Sequence, residues 1–241
     1  MGGELMSLRE YRQKRRFEVT PEPAGRAELP APAGKRLRYV IHKHQASHLH
    51  YDLRLEWNGV LLSWAVPKGP SLDPSVKRLA MRVEDHPIDY AEFEGVIPEG
   101  EYGAGTVMIW DRGTWTPEDQ DVDAALRRGE LKFTLQGTKL KGSWVLVWTR
   151  SGYPAAAGRP AWLLIKHRDA YASDRDVAVA MPRSVASKRM LAEIAQAGGG
   201  NVQQAASGDV PGGVRRPVTT AAAHRRRTRP RTAAPGKERG R

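Results

Sequence analysis

Cysteine is absent from this 241-residue chain. That excludes disulfides, thiolate nucleophiles and sulfur-built zinc sites, and leaves histidine and carboxylate as the strong metal ligands available. No apolar run approaches the roughly eighteen residues of a membrane-spanning helix. The N-terminal residues lack the positive, apolar and small-residue sections of a secretion signal, so a soluble cytoplasmic protein is expected. A Gly-x-Ser-x-Gly elbow is also missing, which removes the local sign of a Ser-His-Asp triad.

At 40% apolar content the chain can pack a core, which rules out collagen, coiled-coil and wholly disordered architectures. Formal net charge is +12, unevenly spread. Residues 198–241 hold ten Lys or Arg against two acids, residues 1–36 hold eight against five, and the span between nets only +1. A nearly neutral body with cationic ends predicts a globular module whose arms meet a polyanion. The plainer alternative is that the arms only solubilise it.

Residues 1–36 read as a basic arm, a short helix over 7–17 followed by Pro21, Pro23, Pro30 and Pro32, with too few apolar points for a core. From Leu37 the pattern becomes nine strand-like runs: 38–43, 49–57, 60–66, 79–84, 90–96, 105–111, 132–135, 142–149 and 162–167. Trp57-Asn58-Gly59 and Asp111-Arg112-Gly113 give hairpin signals. The spacing predicts one mostly β domain over 37–197, a barrel or a sandwich, with short helices near 121–128 and 184–196. Residues 198–241, rich in Gly, Ala, Pro and Arg without periodicity, read as a disordered basic tail.

Five of the seven histidines fall between residues 42 and 86. Along 49–57, Leu49, Tyr51, Leu53, Leu55 and Trp57 form one face of a strand, and His50, Asp52, Arg54 and Glu56 the other. His42 and His44 share that even spacing on the preceding run. A hairpin closing near 45–47 would bring His44 opposite His50 and Asp52. Two imidazoles and a carboxylate with open positions suit a catalytic transition metal such as manganese, iron or zinc, with Arg54 next to it for a phosphate. A solvated strand face would carry the same residues, so spacing alone leaves both readings open. Glu84-Asp85-His86-Pro87 with Tyr90 likewise offers either acid catalysis and phosphate binding or an ordinary turn. Lys68 is presented by a rigid proline-flanked turn. Residues 98–105 are glycine-rich but lack the Lys-Ser/Thr of a P-loop, and read as tight turns.

Taken together the blocks are more specific than any one of them. They run in order: His42-Lys43-His44, Leu49-His50-Tyr51-Asp52-Leu53-Arg54-Leu55-Glu56, Ser63-Trp64-Ala65-Val66-Pro67-Lys68-Gly69-Pro70-Ser71, and Val83-Glu84-Asp85-His86-Pro87 with Tyr90. Phe93-Glu94-Gly95, Ile97-Pro98-Glu99-Gly100, Tyr102-Gly103-Ala104-Gly105 and Trp110-Asp111-Arg112-Gly113 follow. Over about residues 8–171 the chain resembles the 3′-phosphoesterase module of bacterial end-joining DNA ligase D.

The resemblance implies a small β-barrel and a Mn²⁺-dependent hydrolase, with other divalent transition metals as substitutes. Such an enzyme trims 3′-phosphate or ribonucleotide-bearing DNA ends to a 3′-hydroxyl for non-homologous end joining. It implies metal ligation by His44, His50 and Asp52 at a barrel mouth, and phosphate contacts from Arg54, His86 and Tyr90. Arg15, Glu22, His42, Lys68 and Arg78 match further substrate- or DNA-binding positions. Two positions depart: His42 stands where relatives carry glutamine, and Arg16 where the arm carries aspartate. The second is expected to affect ribonucleotide trimming more than phosphate removal. His48 stands where relatives often carry arginine and is left outside the metal set.

The expected partners are DNA or RNA-terminated 3′ ends and a separate end-joining ligase, polymerase and end-binding protein, in the nucleoid and with no membrane. Two other functions use the same residues. One is a non-catalytic module that docks on DNA ends and recruits repair proteins; the other is a hydrolase of small phosphorylated metabolites.

Overall fold

A computed structural model describes residues 8–25, 36–149 and 161–209. Its strands are β1 Leu37–Gln45, β2 Leu49–Trp57, β3 Val60–Val66, β4 Arg78–Pro87, β5 Gly95–Ile97, β6 Gly105–Pro117, β7 Glu130–Gly137, β8 Lys141–Trp148 and β9 Ala161–Lys166. Neighbours pair antiparallel in the order β1-β2-β3-β4-β9-β8-β7-β6, and a β1–β6 ladder closes the ring into an eight-stranded barrel. Closure leaves these eight strands without a free edge. β5 lies outside the ring, bonded to the first residues of β6. The mostly β barrel expected from sequence is therefore the observed one.

Local chemistry sets the register that matters most. Asn58 (φ 46°) and Gly59 (φ 82°) supply the two left-handed residues of a tight hairpin, which pairs Trp57 with Val60 and Arg54 with Ser63. The second expected hairpin does not form, because β6 runs straight through Asp111-Arg112-Gly113. The buried Asp111 carboxylate instead accepts from the Tyr39 hydroxyl at 2.7 Å and from the backbone N–H groups of Lys139 and Leu140 at 3.0 and 2.9 Å. Gly113 lies so close to the Gln136 carbonyl that a Cβ there would meet it at 2.1 Å. The run expected as a strand over 90–96 is a 3₁₀ turn, Ile88–Glu92, followed by the short β5. Pro87 ends β4 without a ladder donor, and the turn buries Ile88, Tyr90 and Ala91.

Helices are short: α1 Arg9–Gln13, α2 Val122–Arg128, α3 Val177–Ala180, α4 Leu191–Ala197 and α5 Val202–Asp209. Asp121 caps α2 by accepting from the Ala124 N–H, and Gly129 ends it in the left-handed conformation. α5 lies in the stretch read from sequence as a disordered tail, so residues 202–209 are helical and not disordered. Ala205 of α5 is buried, and the Asp209 carboxylate accepts from the N–H groups of Leu191 and Ala192, both at 2.9 Å. Residues 210–241 lie outside the described residues. No described helix is long and apolar enough to cross a membrane.

Two apolar clusters occupy opposite faces of the sheet. Each of the eight barrel strands contributes to the first, including Ile41, Leu53, Trp64, Phe133 and Trp144, so this is the barrel interior. The second holds Val40, Leu61, Val107 and Ile109, covered by Ile88 and Tyr90 of the 3₁₀ turn and Tyr11 of α1. That outer face of β1, β3 and β6 is thus a second buried layer rather than a solvated one.

Asp111→Ala would strip the Tyr39 hydroxyl and the Lys139 and Leu140 N–H groups of their acceptor. A destabilisation of about 3 kcal/mol is expected, read as a lower urea midpoint with an unchanged m-value; an unaltered midpoint would show that the carboxylate does not anchor β6.

Candidate active site

The polar row of β2 faces outward beneath this second layer. Asp52 is 6% exposed, Arg54 3% and Glu56 3%, which excludes the solvated strand face. Register places His44 across from His50 and His42 across from Asp52. His44 donates from Nε2 to the Gly103 carbonyl at 2.9 Å, and His50 donates from Nδ1 to the His48 carbonyl at 3.0 Å. Each backbone acceptor fixes a tautomer and turns the other ring nitrogen, with its lone pair, inward. His44 Nδ1 then lies 3.9 Å from Asp52 Oδ2 and His50 Nε2 lies 3.6 Å from Asp52 Oδ1. One ligand atom from each of the three side chains lies within 4.8 Å of the others, a group able to hold a metal ion.

Arg54 braces this group. Its Nη2 donates to Asp52 at 3.0 Å, Nε to His42 Nδ1 at 3.2 Å and Nη1 to the Ser63 hydroxyl at 2.9 Å. Burial pushes the Asp52 carboxyl up, but the Arg54 guanidinium and then His50 outweigh it, and the net shift is downward. Burial, followed by the neighbouring His50 ring, lowers His44 to about 4. His42 is held well below its ordinary value by burial and by Arg54. Asp52 ionised beside a neutral His44 is the protonation state a cation needs, with no proton to displace from either.

A cavity of about 460 Å³ opens over these groups, lined by His44, His50, Asp52, Arg54, His86, Tyr90, Arg15, Glu84 and Tyr102. His86 donates from Nδ1 to the Glu84 carbonyl at 2.9 Å and accepts at Nε2 from Arg15 at 3.3 Å. Arg15 also donates to Glu22 at 2.8 Å and Glu84 at 3.3 Å. Tyr90 donates its hydroxyl to Glu22 at 3.0 Å, while its ring centroid lies 4.8 Å from the Arg54 guanidinium carbon. The arm therefore supplies part of the cavity wall.

Of the residues singled out from sequence, Glu22 and His42 stand behind this wall, bonded to residues that line it. Lys68, on an exposed turn, and Arg78, at the start of β4, do not line the cavity. The site lies on the outer surface of the ring and not at a barrel mouth, because the even-numbered face of β1 and β2 points away from the interior cluster. Sequence reasoning assigned no role to Ser63 or Tyr102, and named Glu84 only as part of the Glu84-Asp85-His86-Pro87 motif. Ser63 pairs with Arg54 across β2 and β3, so extending the alternation to 60–66 finds it. Glu84 meets Lys14 and Arg15 across about seventy residues of sequence, with no local signal.

Residues 42–148 match the model of the DNA Ligase D 3′-phosphoesterase domain. The multifunctional non-homologous end joining protein LigD of Pseudomonas aeruginosa is 54% identical over 187 residues, 76% of this chain and 22% of the relative. Residues 42–148 belong to the DNA ligase D 3′-phosphoesterase domain family. The Mycobacterium tuberculosis and Mycolicibacterium smegmatis LigD proteins are 46% and 45% identical, each over 59% of the chain. The chain spans about a fifth of the length of these curated relatives. The family match covers His44, His50, Asp52, Arg54, His86 and Tyr90, while Arg15 and Glu22 precede it.

Mn²⁺ titration followed by electron paramagnetic resonance tests the ligand group. His50→Ala, at a half-buried position, is expected to weaken binding about a hundredfold or more with an unchanged circular dichroism spectrum; equal affinity would remove His50 from the set.

Proposed function

We propose that this chain is a metal-dependent phosphoesterase that processes DNA 3′ ends for non-homologous end joining. Its primary reaction is removal of a 3′-phosphate, and trimming of a 3′-terminal ribonucleoside is secondary, each leaving a 3′-hydroxyl. The observation that carries this reading is the convergence of His44, His50, Asp52 and Arg54 on one cavity in a domain of this family.

Two nitrogen donors and one oxygen donor, with tautomers set by backbone carbonyls, fit a divalent transition cation such as Mn²⁺. Held by His44 Nδ1, His50 Nε2 and the Asp52 carboxylate, the ion supplies Lewis acidity to a phosphoryl oxygen. Arg54 uses three of its five N–H groups within the protein. One N–H remains on each terminal nitrogen, a fork that matches two phosphate oxygens. Arg15 adds a second guanidinium, held by Glu22 and His86. Burial and then the charges of Arg54 and Arg15 keep His86 neutral, so its Nε2 accepts from Arg15 and aims it. The Tyr90 ring lies against Arg54 while Glu22 holds its hydroxyl. The Ser63 hydroxyl donates to the Leu61 carbonyl at 2.9 Å and accepts from Arg54, which leaves it no nucleophilic role. Water is the attacking group, and on ribonucleotide ends the neighbouring 2′-hydroxyl assists.

The cationic arms add sequence-independent, salt-sensitive affinity for DNA. A separate ligase, polymerase and end-binding protein complete the repair, and the arms associate the protein with the nucleoid.

With Mn²⁺ the protein is expected to convert a 3′-phosphate primer to a 3′-hydroxyl, and His44→Ala to lose at least about a thousandfold in rate. A primer unchanged at high enzyme concentration would instead favour a binding module. Removing residues 210–241 is expected to weaken primer binding and flatten its salt dependence while sparing Mn²⁺ affinity; equal salt slopes would deny the tail a role.

A further inference from the structure

If phosphate occupies the inner end of the cavity, between Arg54 and the metal ligands, the nucleoside bonded to it extends toward the mouth. Tyr102 lines the same cavity and is 47% exposed, whereas Tyr90, the other tyrosine of the lining, is 2% exposed. Both chain neighbours of Tyr102 are anchored. Glu101, its side chain 4% exposed, pairs with Arg16 of the arm, and the Gly103 carbonyl accepts from His44 Nε2 at 2.9 Å. Turn bonds from the Glu101 N–H to Pro98 at 3.2 Å and from the Ala104 N–H to Glu101 at 3.0 Å close the loop. Lys14 Nζ lies 4.9 Å and the Arg15 guanidinium carbon 5.5 Å from the ring centroid.

An aromatic ring held this firmly at half exposure adds little to the core. Its backbone is, however, already ordered on both sides, so only the side chain has freedom left to lose on binding a flat partner. Resting on the phosphoesterase reading above, we propose that Tyr102 is a stacking platform for the base of the 3′-terminal nucleotide. The ligand class is any nucleobase, because every base offers a π-face. Arg16 serves here as a positioning residue, fixing the loop through Glu101.

The test uses the full chain and a DNA strand ending in 2-aminopurine nucleoside 3′-phosphate, with binding measured in chelator and turnover in Mn²⁺. Wild type is expected to quench the terminal 2-aminopurine. Tyr102→Leu is expected to lose the quenching and weaken binding about tenfold, whereas Tyr102→Trp retains both. A matched strand with an abasic 3′-phosphate terminus is expected to bind wild type and Tyr102→Leu within about twofold. Quenching that survives Tyr102→Leu, or an equal loss on the abasic strand, would overturn the platform. Tyr102-dependent quenching without phosphate release would support the platform and overturn the phosphoesterase reading, so the two fail separately.

Discussion

The Asp52–Arg54 ion pair, 3.0 Å long with side chains 8% and 4% exposed, sits where strand alternation puts residues two apart on one face. Two charges taken out of water at this depth cost several kcal/mol before their attraction repays them, so a buried pair is a poor device for stability. Here both ions are committed further. Arg54 also grips His42 and Ser63, and Asp52 faces the ring nitrogens of His44 and His50. The pair itself carries no net charge, the imidazole of His44 is neutral, and inward lone pairs await a cation. A dication and a phosphate entering together would complete the balance.

Burial of that face follows from the barrel and its cover. Closing eight strands gives an inner face filled by Leu53, Trp64 and Trp144, which leaves the outer row of β2 available for chemistry only if something shields it. The shield is local and assembled from distant parts of the chain: the 3₁₀ turn with Tyr90, the loop that carries Gly103, and the arm. Tyr11, fully buried, donates its hydroxyl to the Pro23 carbonyl at 2.7 Å and packs 4.9 Å from the His86 ring. Fixing Tyr11 also fixes Arg15, which lies 3.9 Å over its ring. The arm is then at once a hydrophobic lid and a source of charge.

Alternation along 49–57 and the even spacing of His42 and His44 made the candidate metal-ligand group legible, because a β-hairpin turns spacing into proximity. Most strand positions were legible for the same reason. The course of β6 through Asp111-Arg112-Gly113 was not, since the bonds of Asp111 to Tyr39 and Leu140 join residues far apart in sequence, while the tripeptide resembles a turn only in composition. The placement of the site on the outer face depended on which alternating set faces the closed interior, a property of all eight strands together. α5 was hidden in a stretch without helical periodicity and forms through contacts with α4, including the Asp209 cap.

Anomalous diffraction at the manganese edge from crystals grown with Mn²⁺ tests the central claim most directly. A single strong peak is expected within bonding distance of His44 Nδ1, His50 Nε2 and an Asp52 carboxylate oxygen. No peak there, or a manganese bound elsewhere while these three side chains turn away from one another, would contradict it.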